Sequence, residues 1–218
     1  MQITLSLFDL LIIIGMAKGI ICSILLWRKS EKKRSNRFLA LGILAFVWLN
    51  TKTLLLSLGL WEVHGLGFFP NGIELALSPL FYLYLRALLQ PNLKFIKTDW
   101  LHFVPFFLSQ TYAIVVYVAI MQTTEMAEKQ AIASSFYFNE VKLAEEYLTI
   151  ISALFYLYFG YMVIRDYRKL QAQHKSKDAF AEFSFLRTSI YWLVFILLYN
   201  VTNLILNPFL VQPYHWRW

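Results

Sequence analysis

The chain has 218 residues, of which 59% are hydrophobic and 15% are charged, and its formal net charge is +7. Soluble proteins average roughly 45–50% apolar and about 25% charged residues, so a soluble domain of this size lacks the interior to bury so much apolar surface. The composition also excludes a disordered chain, and the single cysteine, Cys22, excludes a disulfide-stapled scaffold. These numbers predict an all-α polytopic membrane protein.

Six apolar stretches are long enough to cross a bilayer, which takes about 20 apolar residues per helix. The first stretch has no basic start and no small-residue cleavage pattern, so we expect a permanent helix there and not a signal peptide. The sequence therefore predicts one transmembrane domain over residues 1–218. Its spans are predicted at about 7–27, 38–60, 72–89, 100–122, 147–164 and 186–206.

The basic residues predict the orientation, because Lys and Arg are enriched in cytoplasmic loops. Fifteen of them lie in or beside the loops that follow the first, third and fifth spans, and three lie on the opposite side. The N-terminus is therefore expected outside the cytoplasm. The longest outer segment, residues 123–146, contains aromatic residues among its acids and is expected to hold a short interfacial helix.

Charged and polar residues inside or beside the spans are candidates for a site, because an unpaired charge there costs about 2.5–3.5 kcal/mol on insertion scales. Lys18 lies near the middle of the first span and is expected to face the bundle interior. Two interpretations stay open: an outward-facing cavity for a small anionic or zwitterionic ligand, and a purely structural polar network. The candidate pocket residues are Asp9, Lys18, Asn50, Lys52, Glu74, Asn200 and Asn203.

Small residues recur every four positions in the first span, at Gly15, Gly19 and Ser23. Such spacing lets a second helix approach closely. The partner helix could belong to the same bundle or to a second copy of the chain in a homodimer, and both interpretations stay open.

Patterns typical of catalysis or metal binding are missing from the sequence. The four histidines, at positions 64, 102, 174 and 215, show no metal-ligand spacing, and no Gly-x-Ser-x-Gly elbow occurs. Cys22 lies in a span, where a packing role is the usual one. We therefore expect no enzyme activity, no cofactor and no metal.

Two local motifs are distinctive. The first is the run LSPLFYLYLRALL over residues 77–89, and the second is DWLHFVPFFL over residues 99–108. Together with NRFLAL at 36–41, they resemble the N-terminal sensor part of membrane-bound AraC-type transcription regulators of Bacteroidetes-like bacteria. The resemblance extends over nearly the whole chain in the order of spans and the lengths of loops.

That resemblance implies a bacterial inner-membrane protein with about seven spans and a cytoplasmic helix-turn-helix domain. Residues 1–218 contain no helix-turn-helix, so DNA is expected to be contacted only through a domain outside them. The lipid bilayer, an unknown small-molecule or membrane signal and a possible second copy are the other expected partners. The alternative function is a small transporter or channel subunit that uses the outward polar cavity, and a third is an inert assembly subunit.

Residues of the two motifs are expected to gather near the cytoplasmic face. Pro79 is predicted to kink the third span, after which the chain runs inward towards Arg86. Such a cluster could report helix movement in a sensor, or it could only lock a helix hairpin, and the residues alone do not decide between these roles. Its candidate members are Pro79, Tyr82, Tyr84, Arg86, Asp99, His102 and Pro105.

Overall fold

The computed structural model describes residues 5–31, 33–60, 63–90 and 96–174, together with Leu198 and Thr202. Every regular element in these segments is helical, which confirms the all-α prediction. The predicted sixth span, 186–206, lies outside the described residues apart from those two positions. The α-helices are α1 (Leu7–Arg28), α2 (Ser35–Ser57), α3 (Glu74–Leu89), α4 (Val104–Ile120), α5 (Met126–Ser135) and α6 (Phe138–His174). Short 3-10 helices cover Lys29–Glu31, Val63–Phe68 and Lys97–Phe103.

Four helical segments are long and apolar enough to cross a membrane, namely Leu7–Glu31, Ser35–Ser57, Lys97–Ile120 and Phe138–Lys169. Many of their large apolar side chains are exposed, including Leu11, Phe46 and Leu108. Exposed apolar surface of this extent is what a lipid environment solvates and water does not. The described part of the chain is therefore compatible with a membrane protein of at least these four helices.

The third predicted span differs from the others because it is short and buried. α3 has 16 residues, about 24 Å at 1.5 Å per residue, whereas the hydrocarbon core of a bilayer is about 30 Å thick. Pro79 lies inside α3, and the helix continues through it to Leu89. The side chains of Leu83 and Leu85 are fully buried. α3 is thus the central helix, and it packs against α2 on one side and α6 on the other.

The positions of the other helices are given relative to the two ends of α3. We call them the Glu74 end and the Arg86 end. α2 runs antiparallel to α3, because Phe38 packs against the cluster of Leu85 whereas Ala45 packs beside Ala76. α4 is antiparallel to α3 as well, since Asp99 before it bonds to Arg86 and Ser109 within it lies beside Gly72. The loop between α1 and α2 therefore lies at the Arg86 end, and α5 with the start of α6 lies at the Glu74 end.

Small residues let α1 and α2 pack closely. The Ser23 hydroxyl donates a hydrogen bond of 2.8 Å to the carbonyl oxygen of Ala40 in α2. A Cβ added at Gly19 would lie 2.5 Å from Cγ2 of Val47, so only glycine fits there. α2 therefore occupies the Gly19 and Ser23 face within the chain, and a homodimer through this face would require α2 to move away. Gly15 differs, because no atom lies within 4 Å of the position of its missing Cβ.

The segment before the fifth predicted span folds differently from the prediction. The expected short helix is α5, but it ends at Ser135, before the aromatic residues. α6 begins at Phe138, nine residues before the predicted start at 147. α6 begins earlier because the Phe138 side chain is buried against Val116 and Ile120 of α4. The apolar pattern along the chain does not show this contact. α6 continues to His174, ten residues beyond the predicted end of the fifth span at 164.

The packing of α1 on α2 yields a first prediction, which compares two glycines of the same helix. Gly19→Ala should lower the free energy of unfolding by about 1–3 kcal/mol, because the new methyl group overlaps the stiff, β-branched Val47. Gly15→Ala should raise it by up to about 1 kcal/mol, because alanine favours the helix and meets nothing. Equilibrium unfolding in mild detergent measures both values, and equal stability of the two variants would contradict the packing described here.

Candidate functional site

A cavity of about 1110 Å³ lies between α1, α2, α3 and α6. Its walls are apolar over most of their length, with Leu11 from α1, Ile43 from α2 and Leu157 from α6 among them. Its polar lining residues collect at the Glu74 end. Tyr84 and Tyr156 line it towards the Arg86 end. The cavity therefore runs along the bundle from a polar end to an aromatic one.

Three of the predicted pocket residues come together at the polar end. Asn50, Lys52 and Glu74 all line the cavity. Lys52 is close enough to Glu74 to interact with its charge. The Asn50 amide donates a hydrogen bond of 2.8 Å to the Phe46 carbonyl in its own helix. All three residues thus line one cavity, and Lys52 and Glu74 lie within range of each other's charge.

Lys18 and Asp9 do not belong to this grouping. Lys18 is exposed on α1 and does not line the cavity, so the prediction that it faces the bundle interior is wrong for the described part of the chain. Lys18 directly precedes Gly19, and the side chains of successive residues project about 100° apart around a helix. With Gly19 turned towards α2, the Lys18 side chain projects away from that contact. Asn200 and Asn203 lie outside the described residues.

Asp9 instead caps the start of α1. Its carboxylate accepts hydrogen bonds from the Ser6 amide at 2.8 Å and the Ser6 hydroxyl at 2.7 Å, and its own amide donates to that hydroxyl. This reciprocal arrangement is a capping box, which satisfies amide groups that a helix start leaves unpaired. Ser57, the last residue of α2, also lies beside the carboxylate. Asp9 thus lies where the beginning of α1 meets the end of α2.

The sequence prediction missed a set of polar residues around Gly72. A Cβ at Gly72 would lie 2.8 Å from Oγ of Ser109, 3.2 Å from Nε2 of Gln110 and 3.2 Å from Oε1 of Glu145. None of these three atoms has a hydrogen-bond partner among the described residues, and neither has Oδ1 of the adjacent Asn71. We call Asn71, Glu74, Ser109, Gln110 and Glu145 the Gly72 cluster.

The sequence did contain signals for part of this cluster. Ser109 and Gln110 interrupt an otherwise apolar span near its middle, and intramembrane polar residues are functional candidates by default. Glu145 follows Lys142 by three residues, a spacing that places both on one helix face. Their side chains form a salt bridge of 2.6 Å. The approach of α4 and α6 to Gly72, in contrast, depends on tertiary packing.

A second cluster forms at the Arg86 end, as the motifs predicted. The Arg86 guanidinium donates two hydrogen bonds to the Asp99 carboxylate, at 2.7 and 2.9 Å. Asp99 also accepts a hydrogen bond of 2.9 Å from the Ile96 amide, at the start of the 3-10 helix. This bidentate pair ties the end of α3 to the beginning of the fourth span. The predicted span at about 100–122 corresponds to the helical segment Lys97–Ile120. Its first part, Lys97–Phe103, is a 3-10 helix, and α4 begins at Val104.

His102 and Tyr82 connect this pair to α6. Nδ1 of His102 lies 2.8 Å from the Tyr156 hydroxyl. The Tyr82 ring lies edge-on to His102, with 5.5 Å between the centroids, and 5.7 Å from the Tyr156 ring. The sequence did not single out Tyr156. We call Tyr82, Arg86, Asp99, His102 and Tyr156 the Arg86 cluster.

The remaining motif residues lie elsewhere. Tyr84 is buried against Leu85, Leu89 and Ile164 and faces the cavity, so it is not part of the Arg86 cluster. Pro79 is fully buried within α3. Pro105 lies in the first turn of α4, where proline is tolerated because its missing amide hydrogen has no partner there.

α6 is the element that the two clusters share. Glu145 and Tyr156 are eleven residues apart on it, about 16 Å along the helix axis. Gly160 of α6 lies against α3, where an added Cβ would be 3.1 Å from Cδ1 of Leu85. A displacement of α6 relative to α3 would therefore alter both clusters together.

No family model matches the chain, and no curated protein or solved structure matches it either. The resemblance to AraC-type membrane regulators therefore remains a prediction from the sequence motifs. Within the described residues, no three His, Cys, Asp or Glu side chains are grouped so that they could hold a metal ion.

The Arg86–Asp99 pair yields a second prediction. Asp99→Asn should lower the free energy of unfolding by about 3–5 kcal/mol, because a mostly buried guanidinium loses its charged partner. The side chains are 16% and 3% exposed. Asp166→Asn is the matched control, because its pair with Arg165 is 42% and 51% exposed and should contribute no more than about 1 kcal/mol. Unfolding titrations in detergent compare the two, and a small loss for Asp99→Asn would show that the pair does not hold the helices together.

Proposed function

We propose that the chain is the sensory part of a membrane-bound, AraC-type transcription regulator in a bacterial inner membrane. The observation that carries the proposal is the cavity of about 1110 Å³, whose polar end is joined to the Arg86 cluster by α6 and α3. A ligand in such a cavity contacts helices that also build a cluster at the other end of the bundle. The motif resemblance supplies the expected output, which is a cytoplasmic DNA-binding domain outside residues 1–218.

The basic loops support one orientation of this sensor. Six Lys and Arg residues lie in 28–37, at the Arg86 end, and the extension of α6 carries three more at positions 165, 168 and 169. Because Lys and Arg mark the cytoplasmic side, the Arg86 end faces the cytoplasm and the Glu74 end faces outward. In this proposal the chain has six spans, with α3 as the third and 186–206 as the sixth, and its N-terminus lies outside.

Signalling requires two arrangements of the bundle that bind the ligand with different affinities. The cavity borders α1 and α2 on one side and α6 on the other, so a ligand between them favours one spacing of these helices. A change in this spacing moves Tyr156 relative to His102. The extension of α6 beyond Ile164 then transmits the shift to the cytoplasmic side.

A transporter or channel subunit is the second candidate, and the polar lining with Lys52 and Glu74 favours it. Against it, Tyr84, Leu85, Leu89 and Ile164 pack into a buried apolar cluster at the Arg86 end of the cavity. A conduction path would have to open this cluster. Flux of small amino acids and organic anions through proteoliposomes of the purified protein would support the transporter and contradict the sensor.

The sensor proposal predicts that filling the cavity changes transcription. Gly42 lines the cavity with no atom within 4 Å of its missing Cβ, so Gly42→Leu places four carbons in empty space. We expect transcripts of the regulated genes to change by about fivefold or more without any added signal, which corresponds to a typical coupling free energy of about 1 kcal/mol. RNA sequencing of host cells that carry the variant measures this.

The control for the cavity variant is Ala17→Leu, at an exposed position of α1. It adds apolar bulk towards the surroundings and should leave the transcripts unchanged. Equal membrane levels of both variants, checked by immunoblotting, remove abundance as an explanation. If Gly42→Leu and Ala17→Leu gave the same transcripts as the wild type, the proposed function would lose its support. A reading frame that ended at codon 218, with no helix-turn-helix beyond it, would also count against it.

Tyr156→Phe separates a signalling role of the Arg86 cluster from a helix lock. The variant removes the hydroxyl that contacts His102 and keeps the ring, so stability should fall by only about 0.5–1.5 kcal/mol. In a signalling cluster the response of transcription to the inducing condition should shrink severalfold while membrane insertion persists. Tyr158→Phe, at an exposed position of the same helix, is the control. A normal response in Tyr156→Phe would leave only the structural role.

A further inference from the structure

An exposed lysine lies in the middle of the apolar helix α1. Lys18 is eleven residues from Leu7 and ten from Arg28, so about 15 Å of helix separates it from either end. The hydrocarbon core of a bilayer is about 30 Å thick, which places Lys18 near its centre. Within the described residues its side chain forms no salt bridge. An ammonium group therefore lies on the lipid-facing surface of the bundle.

A charge at this depth needs a partner. Lysines near the ends of a span extend their stems to the polar surface of the membrane, but a lysine stem falls far short of about 15 Å. Charged side chains within the membrane are therefore rare, and almost all of them face a cavity or pair with another polar group. Lys18 does not line the cavity. Its ammonium group is thus left to a partner outside the described residues.

The chain itself supplies no carboxylate at the depth of Lys18. Among the described residues, Asp9 caps the start of α1, and Glu74 and Asp99 lie at opposite ends of α3. Between the two ends of the bundle the described helices carry no acidic residue, and the sequence of the predicted span at 186–206 contains none either. A second copy in the same orientation would bring another lysine to this level. The partner of Lys18 is therefore expected in a different protein.

Apolar residues flank Lys18 at the spacing of a helix-packing seam. Ile14, Lys18, Ile21 and Leu25 follow one another at intervals of four, three and four residues, which keeps their side chains on one side of a helix. All four are exposed, and none lines the cavity. Gly19, which packs on α2, projects about 100° away from Lys18. This side of α1, which we call the Lys18 surface, is therefore open to a helix of another protein.

We propose that the Lys18 surface binds a transmembrane helix of another protein, and that this helix carries an aspartate or glutamate that pairs with Lys18 near the middle of the bilayer. The carboxylate supplies the opposite charge, and Ile14, Ile21 and Leu25 pack around the pair. A single polar position in an apolar seam fixes the register of two helices. The partner is thus recognised by one acidic residue within an apolar span of about 20 residues. This inference goes beyond the sensor function and does not rest on the cavity.

A designed helix tests this chemistry on the whole chain in phosphatidylcholine vesicles. The probe is a tryptophan-free transmembrane peptide of leucine and alanine with a central glutamate, which reaches the depth of Lys18 in either orientation. Matched peptides carry a central leucine or a central lysine. Energy transfer from the tryptophans of the chain to a dansyl group on the peptide follows the titration. We expect saturable binding of the glutamate peptide, with the two others at least about tenfold weaker, a difference of about 1.4 kcal/mol.

Variants show whether the contact is at Lys18. Lys18→Leu should bind the glutamate peptide no better than the leucine peptide, and Lys18→Arg should bind it about as tightly as the wild type, because a guanidinium also pairs with a carboxylate. Both variants should fold, since the Lys18 side chain is exposed. Lys29→Leu is the matched control, because Lys29 is an exposed lysine that follows the end of α1. It should bind the glutamate peptide as tightly as the wild type.

The single cysteine of the chain locates the peptide. Cys22 is exposed and lies one helical turn after Lys18. A glutamate peptide with a cysteine one turn to either side of its glutamate should form a disulfide with Cys22 when copper phenanthroline oxidises both thiols. The disulfide should be lost in Lys18→Leu and kept in Lys29→Leu.

Three outcomes would overturn the proposed partner. Equal binding of the three peptides would leave lipid as the occupant of the Lys18 surface. Unchanged binding of the glutamate peptide by Lys18→Leu would place the contact elsewhere. A disulfide between the Cys22 residues of two copies, formed without any peptide, would show that a second copy covers this surface. None of these results would decide the sensor function, which is judged by the response of transcription to Gly42→Leu.

Discussion

The rest of the bundle depends on how α3 is accommodated. In a bilayer each backbone amide and carbonyl must find a partner inside the protein, and a helix of 16 residues is too short to place both of its ends in water. Its ends therefore lie among polar protein groups. At one end Arg86 bonds to Asp99 across a short connection, and at the other Gly72 lies against polar side chains of α4 and α6. The two clusters are thus the two ends of one buried helix.

This constraint also explains why polar side chains gather within an otherwise apolar chain. α4 and α6 are long enough to pass both ends of α3, so their polar residues can be placed level with those ends. Ser109, Gln110 and Glu145 reach the loop before α3, and His102 and Tyr156 reach its other end. Exposed surfaces of the same helices carry apolar residues such as Leu108 and Phe155, which lipid solvates.

The cavity arises from the different ways in which the helices approach α3. α1 packs on α2 through Gly19 and Ser23, and α6 packs on α3 at Gly160, where the absence of side chains permits close contact. α1 and α6 have no such contact with each other, and the cavity lies between them. In the proposed sensor, a ligand in this space contacts both α1 and α6. The proposal takes α3 and the Arg86–Asp99 pair as the fixed part, relative to which α6 moves.

The sequence alone determined the all-helical class of the fold, most of the helices and the pairing of Arg86 with Asp99. Runs of this length and composition can cross a bilayer as helices wherever they lie in the chain. Arg86 and Asp99 are joined by so short a connection that their pairing is nearly local. The sequence also predicted Asn50, Lys52 and Glu74 at one depth, and in the structure all three line the cavity.

Only the tertiary structure decided which face of each helix turns inward and which distant residues complete a site. Lys18 was expected inside because of the cost of its charge, but the fit of Gly19 against Val47 sets the rotation of α1 and turns Lys18 away. Asp9 was a candidate pocket residue and instead caps α1 with Ser6. Glu145 and Ser109 meet at Gly72 from helices far apart in the chain. Such contacts depend on how side chains pack between helices, and hydropathy and residue spacing along the chain do not reveal this packing.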